Sequence, residues 1–192
     1  LAALAAEVPG LACRLIDLPD GADPGPLLDE WAAAPSEPEI AFRDGQRLAA
    51  RFVPVDACGA ARPLPPGGVV LVTGGLGGVG RLVAPHLLTR HKARLLLVGR
   101  TAETNLDGER AAALATLRAT GDVFYAAADV TDPAALRAAA EAARTRWGQP
   151  LAGIIHLAGE GSPRPLADET AERLSAAVAA RTAALPALLD LV

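Results

Sequence analysis

The sequence of 192 residues contains no methionine, only two cysteines, six aromatic side chains, one lysine and one tyrosine. Cys13 and Cys58 are too few for a disulfide framework and match no metal-ligand spacing, so no metal is expected and a reducing compartment, hence the cytoplasm, is. No stretch offers the ~18 consecutive apolar residues of a membrane span, and residues 1–12 lack the basic region of a signal peptide. Lysine is limited to Lys92 and the remaining basic residues are scattered arginines in a chain of net charge −4. That balance argues against a nucleic-acid partner, because duplex binding rests on clustered cations facing phosphates. The absent initiator methionine suggests a chain cut from something longer or processed. With aromatics at 3% and apolar residues at 51%, disorder is excluded, and the core has to be built from small and aliphatic side chains on closely packed elements.

Two compositions divide the chain. Residues 59–68, Gly-Ala-Ala-Arg-Pro-Leu-Pro-Pro-Gly-Gly, cannot continue a helix or a central strand and read as a linker. Before it, over 1–58, a small unit is expected: a strand over 11–18, a short helix over 26–34, and two strands within 40–52 joined at Asp44-Gly45, a dipeptide suited to tight hairpins. After it, over 69–192, short apolar runs at 69–72, 93–98, 123–128 and 151–157 alternate with helical stretches at 78–91, 106–120, 133–147 and 168 to about 191. Strand–helix repetition of this kind predicts an α/β fold, a Rossmann-like doubly wound parallel sheet covered on both faces. Asp132 before Pro133 is an expected helix start.

The chemistry lies where the strands end. Thr73-Gly74-Gly75-Leu76-Gly77-Gly78-Val79-Gly80 leaves the first apolar run and opens a helix. Glycines there allow a tight turn and close approach of a pyrophosphate, and the helix N-terminus offers about +0.5 charge. A turn that merely packs strand against helix would also be glycine-rich; the strand before and the helix after favour a nucleotide. At the end of the second run, Arg100 and Thr101 occupy the ribose-reading position, where a guanidinium with a neighbouring hydroxyl selects a 2′-phosphate and hence NADPH over NADH. An ordinary surface arginine closing a strand is the competing reading. Asp129, followed by Val130, could accept from an adenine amino group or serve as a turn carboxylate. Leu157, Ala158 and Gly159 leave room for a ribose and nicotinamide beside the fourth strand, whereas His156, inside an apolar run, reads as a hydrogen-bonded structural histidine. His86 and His91 need no role.

Together, the Thr73–Gly80, Leu97–Thr101, Ala128–Thr131 and Ile155–Gly159 segments resemble the cofactor motifs of the short-chain dehydrogenase superfamily, and most closely those of ketoreductase domains of modular type I polyketide synthases. Glu39–Arg43 through Arg51–Pro54 likewise resembles the end of that family's truncated Rossmann structural subdomain. The resemblance implies NADPH-dependent reduction of a β-ketoacyl chain, tethered to an acyl carrier protein, among neighbouring synthase domains. It also implies a catalytic Tyr and Ser. The single tyrosine, Tyr125, lies inside the third strand and no Tyr-x-x-x-Asn occurs, so those residues are expected after Val192 and the chain reads as the cofactor half of a reductase. Arg181 stands where the family carries a supporting Lys, and Arg for Lys is not a conservative exchange. The Leu-Asp-Asp of one stereochemical class is missing after Gly159. Two further readings stand beside the reductase: a reductively silent domain kept as a scaffold, and a stand-alone short-chain dehydrogenase or nucleotide-sugar epimerase.

Overall fold

The computed structural model describes residues 2–33, 37–55, 64–159 and 165–191. Contacts gather the chain into two units, residues 1–60 with 164–169 and residues 61–163 with 170–192. The first half of the expected linker, residues 59–63, falls outside the described residues, as does Cys58.

In the first unit, α1 (Ala2–Glu7) is followed by β1 (Leu15–Asp17), α2 (Gly25–Ala32), β2 (Glu39–Arg43) and β3 (Gln46–Ala49). The strands form one sheet in the order β1-β2-β3, with β1 parallel to β2 and β2 antiparallel to β3. Asp44 and Gly45 both take positive φ, 51° and 73°, as the two-residue turn demands. The strand expected over 11–18 shrinks to three residues. Leu15 donates to the carbonyl of Pro38, but Pro38 has no N–H to return, so the ladder stops there. The buried Glu30 carboxylate on α2 is paired with Arg14 at 2.6 Å and with Arg47 on β3, which ties helix to sheet.

The second unit carries β4 (Val69–Thr73), α3 (Gly80–Arg90), β5 (Arg94–Gly99), α4 (Gly108–Thr120), β6 (Val123–Ala127), α5 (Pro133–Trp147), β7 (Leu151–His156), α6 (Ala171–Thr182) and α7 (Ala184–Leu189). Its sheet runs β6-β5-β4-β7 and every pair is parallel. Alternate residues of the central strands feed opposite faces. Val70, Val72, Leu95 and Leu97 pack with Leu87, Leu88, Leu114 and Leu117, while Leu71, Leu96 and Val98 pack with Leu136, Ala139, Ala143 and Leu188. Each such leucine contributes roughly 1.5–3 kcal/mol on burial. The buried alanines Ala84, Ala143 and Ala184 let the helices approach the sheet closely, which is how a core poor in aromatics stays filled.

Helix boundaries follow their caps. Asp132 accepts from the N–H groups of Ala134 and Ala135 ahead of Pro133, the expected start. Asp107 accepts from Arg110 N–H, which moves the start of α4 to Gly108 rather than Leu106. The helix expected from 168 to about 191 is corrected to two. Thr170 caps α6, so the helix begins at Ala171, and it breaks at Ala183. Pro186 accounts for the break: it cannot donate to the carbonyl four residues back, but it is tolerated in the first turn of a new helix.

Candidate functional site

The sheet order places the site. From β4 the chain moves outward through β5 to β6, then returns to the other side of β4 as β7, so the loops after β4 and β7 diverge at a switch point. A cavity of about 390 Å³ opens there, along the C-terminal strand ends. Gly74, Gly75, Leu76 and Gly77 line it from the first loop, Arg100 and Thr101 from the second, Asp129 and Val130 from the third, and Leu157, Ala158 and Gly159 from the fourth. Eleven of the residues expected at the cofactor thus converge on one crevice. Thr73, Gly78, Val79 and Gly80 do not form its wall. The helix begins at Gly80 and not Gly78, because Gly77 N–H closes a turn onto Gly74 carbonyl before the helical pattern starts.

Local contacts explain the glycines. Gly74 has φ of 65°, in the left-handed region, and a Cβ there would stand 2.9 Å from the carbonyl of Leu157. A Cβ on Gly80 would lie 2.5 Å from the backbone of Gly74 and Gly75. The loop is therefore folded on itself, with no room for a side chain at Gly74 or Gly80.

Thr73 is the fastener behind the cavity. Wholly buried, its Oγ1 accepts from the N–H groups of Leu157 and Ala158, each at 3.1 Å, and lies 2.6 Å from His156 Nδ1. With both lone pairs engaged, the one hydroxyl proton goes to Nδ1. The histidine proton then sits on Nε2, which donates to the carbonyl of Ala180 on α6 at 3.0 Å. His156 thus links β4, β7 and α6 as a structural histidine. Replacing Thr73 by valine keeps the shape but leaves the half-buried Ala158 N–H and His156 Nδ1 unpaired; a loss of about 1–3 kcal/mol in denaturant unfolding is expected. A change below about 0.5 kcal/mol would contradict the network.

At the opposite end, Asp129 Oδ1 accepts from Thr131 N–H at 2.8 Å and from its hydroxyl at 2.7 Å. These bonds, with a smaller attraction from Arg100, hold the carboxyl below the usual range, so it is ionised. Asp129 accordingly serves as a turn carboxylate through Oδ1. Arg181 lies off the cavity wall, its Nε 3.2 Å from the point a Cβ on Gly159 would occupy.

Sequence reasoning missed several wall residues. Arg110, in the first turn of α4, adds a second guanidinium to the crevice that Arg100 lines, and Tyr125 on β6 lines it too. Ala176, Ala179 and Ala180 supply a small-residue wall from α6. The helical register of α4 and the strand alternation of β6 were the only signals for the first two.

A parallel sheet, a glycine-walled crevice at its switch point and cations at one end define a nucleotide-binding unit of the doubly wound class. The chain belongs to the KR domain family, whose profile matches residues 68–192. It is 38% identical over 169 residues to the spectinabilin polyketide synthase system protein NorA of Streptomyces orinoci, covering 83% of this chain and 8% of NorA. Among solved structures it resembles the ketoreductase from the first module of phoslactomycin biosynthesis in Streptomyces sp. HK803. That match has 32% identity and a TM-score of 0.70, over 93% of this chain and 42% of that one. An A-type ketoreductase from a modular polyketide synthase matches at 34% identity and a TM-score of 0.68, over 93% and 38%. The chain therefore spans a small part of the curated synthases it matches and under half of these solved ketoreductases. Among the described residues no helix is long and apolar enough to cross a membrane.

Proposed function

We propose that this chain is the cofactor-holding part of a polyketide synthase ketoreductase and binds NADPH. The observation that carries this reading is the convergence of the Gly74–Gly77 turn, Arg100 and Ala158-Gly159 on one crevice in a member of the KR family. The donor set fits the cofactor. The Gly74–Gly77 backbone would hold a pyrophosphate, Arg100 and Arg110 would pair with a 2′-phosphate, Asp129 would accept from the adenine amino group, and Leu157 to Gly159 would leave space for the nicotinamide. Bound NADPH would supply hydride to the ketone of a β-ketoacyl chain carried by an acyl carrier protein, giving a β-hydroxyacyl chain.

The roles of these residues are holding and orienting. Thr73 and His156 fix the two loops flanking the nicotinamide end, while Asp129 and the 99–101 turn fix the adenosine end. Tyr125 donates its hydroxyl to the carbonyl of Thr101, so the chain's one tyrosine is spent on the backbone. In this reading the proton donor and the substrate-binding Ser lie outside these 192 residues, the partners are an acyl carrier protein and adjoining synthase domains, and the compartment is the cytoplasm. Fluorescence titration tests the core of it: NADPH is expected to bind, and to bind more tightly than NADH. Absence of NADPH binding, or a preference for NADH, would reject the assignment.

One observation favours a second reading, a reductively silent scaffold. Arg181 stands at the position where the family resemblance implies Lys, and its planar, permanently charged fork cannot mimic an ammonium in a proton relay. That reading predicts NADPH binding without consumption of a β-ketoacyl thioester when the chain is joined to its adjoining synthase domains; measurable turnover there would exclude it.

A further inference from the structure

We propose that Tyr125 is a positioning residue for 2′-phosphate recognition, acting through the turn that carries Arg100. The inference rests on the NADPH reading above and concerns how the adenosine end achieves its selectivity.

Tyr125 on β6 pairs with Leu97 on β5, and its side chain projects along the strand direction over Gly99, two residues further on. A Cβ on Gly99 would meet the phenolic oxygen at 2.7 Å, so the ring occupies the space a side chain at 99 would need. From there the hydroxyl reaches the carbonyl of Thr101 at 2.7 Å. The carbonyl of Gly99, two residues earlier, accepts from Ala128 N–H at 2.9 Å. Arg100 is thus the middle residue of a turn whose two flanking carbonyls are both anchored to β6 or the residue just after it. Without the phenol the Thr101 end of that turn loses its anchor, and the root of the Arg100 side chain is no longer fixed relative to the crevice.

Tyr125 is buried, yet its ring lines the same crevice as Arg100, Thr101 and Arg110. Burial also pushes its ionisation above the ordinary phenol range, so the hydroxyl remains a donor at neutral pH. The interlock of Gly99, Tyr125 and Thr101 is local to the adenosine end. It therefore bears on discrimination between 2′-phosphorylated and 2′-hydroxyl ligands, and it leaves the glycine turn and the nicotinamide end as they are.

The test compares dissociation constants of adenosine 2′,5′-bisphosphate and 5′-AMP for the 192-residue chain and its Tyr125→Phe variant. Phenylalanine keeps the ring and removes only the hydroxyl, so the packing survives. The preference for the 2′-phosphorylated ligand is expected to shrink about five-fold, in proportion to one neutral hydrogen bond, with the loss falling on the bisphosphate more than on 5′-AMP. An unchanged preference overturns the proposal, and so does an equal loss for both ligands, which is what general damage to the crevice would give. If the parent chain shows no preference for the 2′-phosphate, the NADPH reading fails and this inference falls with it. If the parent discriminates and the variant discriminates equally, only the inference falls.

A second measurement needs no ligand. Gly99→Ala is expected to lower the unfolding midpoint of the parent but to be far milder in the Tyr125→Phe background, because removal of the oxygen leaves the nearest ring carbons at 3.5 and 3.6 Å, ordinary contact distances. Equal shifts in the two backgrounds would overturn the interlock on which the proposal depends.

Discussion

Gly80→Ala is expected to destabilise the second unit by about 3 kcal/mol or more, the upper end of overpacking effects. The reason is the identity of the atoms it meets. A methyl group at 80 would stand 2.5 Å from the carbonyl oxygen of Gly74 and from the Cα and carbonyl carbon of Gly75. All three are backbone, so no rotamer change relieves the clash, and the first turn of α3 has to move away from the end of β4. That movement would open the turn closed by Gly77 N–H on Gly74 carbonyl, so nucleotide affinity is expected to fall with stability. Gly78→Ala is the control. It lies in the same loop, exposed and without positive φ, and a methyl group there would meet nothing within 4 Å, so a change within about 0.5 kcal/mol is expected. Denaturant unfolding of both variants separates the cases; equal destabilisation would show that the loop tolerates or rejects side chains for some reason other than this contact.

The contrast between Gly78 and Gly80 also marks what could be read from residue order. Apolar runs of strand length and their alternation with helical stretches place β4, β5, β6 and β7 within a residue or so, because parallel strands buried on both faces write themselves as continuous aliphatic segments. Gly-rich spacing after β4 likewise identifies the crevice, but it cannot say which glycine faces ligand and which faces backbone; that depends on where the turn closes. Boundaries set by a single side chain were the next to be missed. Asp107 and Thr170 each begin a helix later than the apolar pattern suggests, since a cap is decided by one hydrogen bond. Arg110 and Tyr125 were the most distant from the pattern. Each reaches the crevice from an element whose periodicity explains its place in the fold without any ligand, so nothing in the order of residues distinguishes Tyr125 from a plain strand residue. His156 is the opposite case: its apolar neighbours forecast a structural role, and Thr73 and Ala180 supply the partners.

Arg100→Ala is expected to weaken NADPH binding by roughly 10- to 100-fold, the loss of a charge-assisted contact of about 1.5–3 kcal/mol, while leaving NADH affinity nearly unchanged. Arg100 is exposed on the turn after β5 and lines the crevice across from Asp129, whose carboxylate it attracts. A carboxylate so close could repel a 2′-phosphate. Asp129, however, is held in its turn by Thr131, and Arg110 adds a second guanidinium to the crevice wall. The two cations should not be equivalent. Arg110 rises from a helix and is drawn toward Asp107, with Nε 3.6 Å from its carboxylate, whereas Arg100 is rooted between two anchored carbonyls. Arg110→Ala is therefore expected to cost less than Arg100→Ala, and both losses should diminish as salt screens the phosphate. Titration of NADPH and NADH at two ionic strengths checks all three points. Equal weakening of both cofactors by Arg100→Ala would mean that this arginine supports the crevice as a whole and that the 2′-phosphate is read elsewhere.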